Sequence, residues 1–445
     1  MNRVSVLAAA LVTILTVSFV RAENWPQFRG PRGDNVPSDT KLASDWDQNK
    51  NVQWKFKIPG QGWSSPIIWD NKVFITTAVQ KGTSQPQPSV QPRRPSRGGG
   101  RSRTPPKSDF SWGIYCLDLD TGRELWKRVA FEGRPRVATH RSNTYASETP
   151  VTDGEHIYVY FGMTGLFCYD LDGNLVWKKD LGVYPMQSSW GTSSSPLLYG
   201  DQLYLQIDNE QESFLVSLDP RTGTENWRVA RDEKSNWSNP FIWENKSRAE
   251  LVTVGKKVRS YDPRSREILW ELSLGGGRCI ATPTADKEML YVANEERGGG
   301  GTLFAVKAGA SGDISPESGE SNSAGVVWSK PSAGIAMASP LLYRGYVYAV
   351  DRRAGLVSCY NATTGETAYY QAQLPNGKAM WATPWAHDNK IFCLDEAGTT
   401  HVLQAGSEFK VLDTNVLGEK FWSTVAISNG SIILRGVEHV YCIRQ

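Results

Sequence analysis

The run Asp118-Leu-Asp-Thr121-Gly122-Arg-Glu-Leu-Trp126 decides how the rest of this 445-residue chain is read. It returns as Asp170-Leu-Asp-Gly173-Asn-Leu-Val-Trp177, one residue shorter, and as Asp219-Pro-Arg-Thr222-Gly223-Thr-Glu-Asn-Trp227. Degraded copies run from Asp262 to Trp270 and from Asn361 to Tyr369. Asp or Asn opens a turn because its short side chain bonds backbone N–H groups two residues on. Gly supplies the positive φ that a tight hairpin needs. The Trp lands on the returning strand, where its apolar face can pack on a neighbouring sheet while the indole N–H finds an acceptor. Trp54, Trp126, Trp177, Trp227, Trp270, Trp328 and Tyr369 are therefore expected to dock one repeat on the next.

A second marker precedes each copy: a small polar residue and a proline, followed by an apolar run. It occurs at Ser65-Pro66, Thr149-Pro150, Ser195-Pro196, Asn239-Pro240, Thr282-Pro283, Ser339-Pro340 and Thr383-Pro384, and an eighth copy, Ser423-Thr424-Val425, has lost the proline. A hairpin signal and a strand come next, as in Asp153-Gly154 before Ile157-Tyr-Val159. One unit is four short strands over about 44 residues, the length of a propeller blade. The eight markers predict an all-β, eight-bladed propeller of four-stranded antiparallel blades. The last unit stops at Tyr441-Cys-Ile443 after its third strand, while Asn51-Val-Gln-Trp54 is an orphan fourth strand near the start. The N-terminal strand is expected to complete the C-terminal blade, which removes two exposed sheet edges.

On these residues the chain resembles the pyrroloquinoline-quinone-like β-propellers, a group holding quinoprotein alcohol dehydrogenases and the BamB-type envelope assembly scaffold. The Asp-x-x-Thr-Gly-x-x-x-Trp phrase resembles that group's tryptophan-docking motif, and Asn24-Trp-Pro-Gln-Phe-Arg-Gly-Pro31 is similar to the mature N-terminus of its secreted members. The resemblance covers about residues 50–445. It speaks for the fold and little for the chemistry, because one fold hosts unrelated activities.

Residues 1–22 read as a secretory signal: Arg3, an apolar core from Val4 to Val20, and Val20-Arg-Ala22 as the cleavage site. Cleavage near Ala22 predicts a periplasmic or extracellular protein. No Cys stands near the site, so lipoprotein modification is not expected, and no other segment reads as membrane-spanning. An N-terminal extension, 23–50, leads into the propeller, 51–445. The formal charge of +3 falls to +1 without Arg3 and Arg21, and the seven bases of residues 79–108 leave a body near −6. That Pro/Gly/Ser-rich basic insert, 79–109, is expected to be disordered. Its span 81–107 reads either as an arm for an anionic polymer or as a tolerated basic loop. Nucleic acid is not an expected partner outside the cytoplasm. A second, polar insert, 308–325, reads as a surface loop.

Cys116, Cys168, Cys359 and Cys442 fall at one repeat position, where other units carry Ser217, Ser260 or Ala305. They read as small buried hydrophobes rather than a disulfide set, and Cys279 and Cys393 have no evident pairing. The family's dehydrogenases imply a quinone over the axis beside a calcium held by acidic and amide groups, often with two adjacent cysteines. No Cys-Cys pair occurs here, so pyrroloquinoline quinone with calcium is not the expected cofactor. The acid clusters Asp208-Asn-Glu210, Asn294-Glu-Glu296 and Asp351-Arg-Arg353 are the candidates for a metal or a base. No residue is assigned as catalytic.

The loops leading into each first strand carry Trp63, Trp237, Trp381 and Trp422, each three residues before the proline position, and Trp190, six before it. His140 and Arg278 stand in equivalent loops. Together they form a candidate binding mouth, because aromatics interspersed with cations suit peptide, glycan or quinone stacking. The competing reading is repeated inter-blade packing. The expected function is a secreted, non-catalytic scaffold for an envelope or secreted protein. The alternatives are a quinone- and calcium-dependent dehydrogenase and a sugar- or peptide-binding sensor.

Overall fold

The computed structural model describes residues 23–38, 41–82, 104–275, 278–294, 301–335 and 337–445. The signal reading, the bases Arg93 to Arg103 of the basic insert, and Glu295 and Glu296 lie outside these residues. Eight sheets are formed, antiparallel but for one short parallel pair in the fourth, each with its sequence-first strand at one edge. The first blade comprises Ile67–Trp69, Lys72–Gln80, Phe110–Asp118 and Glu124–Gly133, and the ring continues to Ala426–Ser428, Ser431–Arg435 and His439–Ile443. Val52–Lys57 then supplies the fourth strand of the last blade, with Trp54 opposite Cys442. No helix among the described residues is long and apolar enough to cross a membrane.

The repeated turn works as its chemistry dictates. Asp118 Oδ1 accepts from the backbone N–H and hydroxyl of Thr121, at 2.8 and 2.7 Å, and the N–H of Gly122 closes on the Asp118 carbonyl. Gly122 has φ +68°, and a Cβ there would lie 2.5 Å from the Trp54 ring. The glycine is thus required twice, for the turn and as the floor on which the neighbouring tryptophan rests. The indole N–H of Trp54 donates to Leu119 O of the same turn at 2.8 Å. Trp126, Trp177 and Trp328 repeat this geometry on Gly173, Gly223 and Gly365, donating to Leu171, Pro220 and Ala362 carbonyls. Trp54 and Trp328 are buried, while Trp126, Trp177 and Trp227 keep partial exposure.

Three of the seven expected docking residues do something else. The turn facing Trp227 carries Arg266 in place of glycine, and Trp227 donates instead to Gln202 of its own blade. Trp270 donates to Glu250 of its own blade, and Gly312–Asp313 pairs alongside its strand in parallel. The polar insert 308–325 is therefore more than a surface loop: it adds a fifth strand to the fourth blade and buries Ile314. Tyr369 meets Phe409, not a turn glycine.

The cysteine position has a simple cause. Cys116, Cys168, Ser217, Ser260, Ala305, Cys359 and Cys442 lie directly opposite Trp126, Trp177, Trp227, Trp270, Trp328, Tyr369 and Trp54. A small side chain leaves room for the ring across the ladder. None of the six cysteines is disulfide-bonded and all are buried, Cys279 and Cys393 included, and burial pushes the Cys116, Cys168, Cys359 and Cys393 thiols up to about 12. The basic insert begins later than its sequence boundary, since the paired strands run to Gln80 and restart at Phe110.

Candidate functional site

The residue before each proline builds a belt around the axis. Its side chain accepts a hydrogen bond from the backbone N–H of the same position one blade earlier. Thr149 accepts from Ser65, Ser195 from Thr149 and Asn239 from Ser195, at 2.7–3.0 Å. Ser339 accepts from Thr282, Thr383 from Ser339 and Thr424 from Thr383. This explains why the sequence insists on Ser, Thr or Asn there: proline follows with no N–H, and the small acceptor satisfies a buried donor of its neighbour.

The N-terminal extension closes the far side of this belt. Trp25 bridges to Ile68 and is fully buried. Arg29, also buried, donates to the carbonyls of Thr282 and Pro283, and Asn35 donates to those of Thr383 and Pro384. Burial without a carboxylate contact lowers the Arg29 guanidinium to about 10, and a more distant Asp34 opposes the shift. Phe28 reaches the cavity itself. Residues 23–36 are thus part of the propeller body and form a floor across its axis, a role that the extension's sequence did not announce.

Above the belt lies a cavity of about 360 Å³. All seven residues singled out in the lead-in loops line it: Trp63, His140, Trp190, Trp237, Arg278, Trp381 and Trp422. They gather into two arrays. Trp381 stacks on Trp422 at 4.6 Å between centroids, and Trp422 tilts against Trp63 at 4.9 Å. One Glu396 oxygen accepts from both Trp381 and Trp422, at 3.2 and 3.3 Å, which fixes the stacked pair. In the second array Trp190 lies 5.6 Å from Trp237 and 5.9 Å from the edge-on ring of His140. The Arg278 guanidinium sits 4.6 Å over Trp190, within cation–π range. Trp237 is buried and donates to Gly191 O, whereas the other four indoles keep partial exposure.

Sequence reasoning did not place Phe28 or Arg352 in this cavity. Arg352 was visible only as part of an acid cluster, and Phe28 belongs to a segment outside the repeat. The lead-in residue Tyr145 turns away instead, against Phe110 and Trp112. The acid clusters are structural where described. Asp208 forms a two-pronged pair with Arg231 at 2.8 and 3.1 Å, both side chains fully buried. Asp351 pairs with Arg353 at 3.0 Å, and Glu210 holds Ser235.

The described lining residues offer hydroxyl and amide oxygens, indoles, two guanidinium groups and an imidazole, but no carboxylate. Calcium takes six to eight oxygen ligands with carboxylates prominent among them, so this donor set does not fit a quinone–calcium centre. Among the described residues no group of three or more His, Cys, Asp or Glu side chains could hold a metal.

Comparison with known proteins agrees with the architecture. The family described as outer membrane protein assembly factor BamB matches residues 112–240, 211–314 and 254–424. No curated protein matches. BamB from Moraxella catarrhalis superposes with a TM-score of 0.56 at 13% identity, over 88% of this chain and 99% of that one. The quinohemoprotein alcohol dehydrogenase from Comamonas testosteroni superposes equally well, with a TM-score of 0.56 at 12% identity, over 94% of this chain and 80% of that one. At such identities the likeness concerns the fold alone.

Proposed function

The chain belongs to the BamB family of PQQ-like eight-bladed β-propellers, and on that premise we propose that it is a non-catalytic scaffold, exported from the cytoplasm, that binds a secreted or envelope protein at its axial mouth. The observation that carries this reading is the cavity lining. Two aromatic arrays and cationic groups surround a belt of small hydroxyls, and the described lining residues include no carboxylate and no thiol. Rigid aromatic surface and arginine are what protein recognition uses most.

The test is capture from an envelope extract, comparing wild type with Trp381→Ala and Trp422→Ala. A partner retained by the wild type and lost by both variants, at unchanged melting temperature, is the expected result. Stoichiometric, saturable binding of pyrroloquinoline quinone with calcium, accompanied by dye-linked alcohol oxidation, would overturn the reading in favour of a dehydrogenase.

A further inference from the structure

The cavity is open at the mouth, and its opposite end is crossed by the chain's own N-terminal segment. Phe28 lines it, and Arg29 and Asn35 are locked to carbonyls of the fifth and seventh blades. A polypeptide cannot thread through such a blind channel; only an end or a short protruding segment enters it. At about 360 Å³ the cavity falls in the size range of ligand sites, about 300–1,000 Å³, which suits one or two terminal residues rather than a folded surface.

Charge decides which end. The described lining carries Arg278, Arg352 and His140 and no carboxylate. A positively charged amino terminus would meet these cations, and the carboxylate bonded to the mouth rings, Glu396, is already engaged by the Trp381 and Trp422 indole N–H groups. A guanidinium has five N–H donors in a fixed fork and can serve a carboxylate while keeping other partners. The two tryptophan arrays line the same cavity as these cations and offer partly exposed aromatic surface to an apolar terminal side chain.

We infer that the mouth receives the free C-terminal carboxylate of a partner chain, with an aromatic or aliphatic last residue between the Trp381–Trp422 and Trp190–Trp237 pairs. Arg278 and Arg352 hold the carboxylate, and the Phe28 floor sets the depth of insertion. This rests on the scaffold reading and names the part of the partner that is recognised.

Calorimetric titration of the full-length mature protein tests it with three probes: a hexapeptide ending in a free phenylalanine carboxylate, the same hexapeptide amidated at its C-terminus, and hydrocinnamate as the bare acid. The free-acid hexapeptide is expected to bind saturably, the amide at least tenfold more weakly, and hydrocinnamate more weakly than the hexapeptide. Arg278→Gln and Arg352→Gln should each erase most of the acid-over-amide preference while leaving the melting temperature unchanged. Equal affinity for acid and amide, or no binding by the hexapeptide, would sink the inference. So would hydrocinnamate binding as tightly as the peptide, which would mark a small-acid pocket. If no probe binds yet Trp381→Ala still loses its captured partner, the scaffold reading stands and the chain-end inference alone falls.

Discussion

The same residue type serves two regions of this propeller in opposite ways. At the blade seams, Trp54 and Trp328 are buried, seated on a glycine and bonded to a carbonyl of the next blade. At the mouth, Trp63, Trp381 and Trp422 lie against one another and against solvent, and a single Glu396 oxygen steadies two of them. Each seam ring has a partner shaped for it and nothing further to bind. The mouth rings keep partial exposure and are held in place by one another. Partial burial with a fixed orientation is the state in which an aromatic can contribute to recognition at low ordering entropy.

Removing a seam tryptophan tests this contrast most severely. Trp328→Ala should lower stability by about 3–5 kcal/mol in chemical denaturation, as for other buried large-to-small changes. Gly365→Ala places a Cβ 2.6 Å from the same ring at φ +71°. Its cost should shrink markedly when Trp328 is already alanine, and purely additive costs would show that ring and turn are not coupled.

Glu148 joins the two regions, since it stands between the lining residues Ser147 and Thr149 yet points into the seam, accepting from Thr192 at 2.5 Å. Burial raises its carboxyl from about 4.5 to about 7, against the opposing pull of the Thr192 hydrogen bond. The folded state therefore holds this proton more tightly than the unfolded chain does. Stability should fall as pH rises from about 4.5 to 7, by on the order of 3 kcal/mol, and level off above. Glu148→Gln should flatten that slope in urea titrations between pH 4.5 and 8; an unchanged slope would assign it to other groups.

The smallest expected effect is at the mouth. Trp381→Ala or Trp422→Ala should change unfolding free energy by no more than about 1 kcal/mol, as for surface-proximal changes. A loss as large as that of Trp328→Ala would make the mouth rings packing elements and erase the distinction.

Much of this was legible in the chain. The Asp–Gly–Trp spacing announced the hairpins, the pre-proline markers counted the blades, and Trp54 with no preceding partner strand announced the closure. The register of the lead-in tryptophans was enough to group seven residues of one cavity, because equivalent positions in a closed ring share a level. Less legible were the failures of the repeat. Arg266 in place of a glycine redirects Trp227 to Gln202, and the 308–325 insert supplies a strand beside Trp270. Neither outcome follows from local spacing, since each depends on what the neighbouring blade presents.

By itself, then, the sequence determined the fold and the common level of the mouth residues, since both follow from periodicity: identical local chemistry repeated at a fixed interval must recur at symmetric places. Only the tertiary structure decided that the channel is blind and that Phe28 and Arg352 share it with the tryptophans. The floor comes from an extension with no repeat of its own. Its path is set by long-range bonds, Arg29 to residues 282 and 283 and Asn35 to residues 383 and 384. A side chain that satisfies backbone carbonyls some 250 to 350 positions away leaves no periodic trace, because the acceptors it needs are present in every residue and only the folded ring selects which ones it meets.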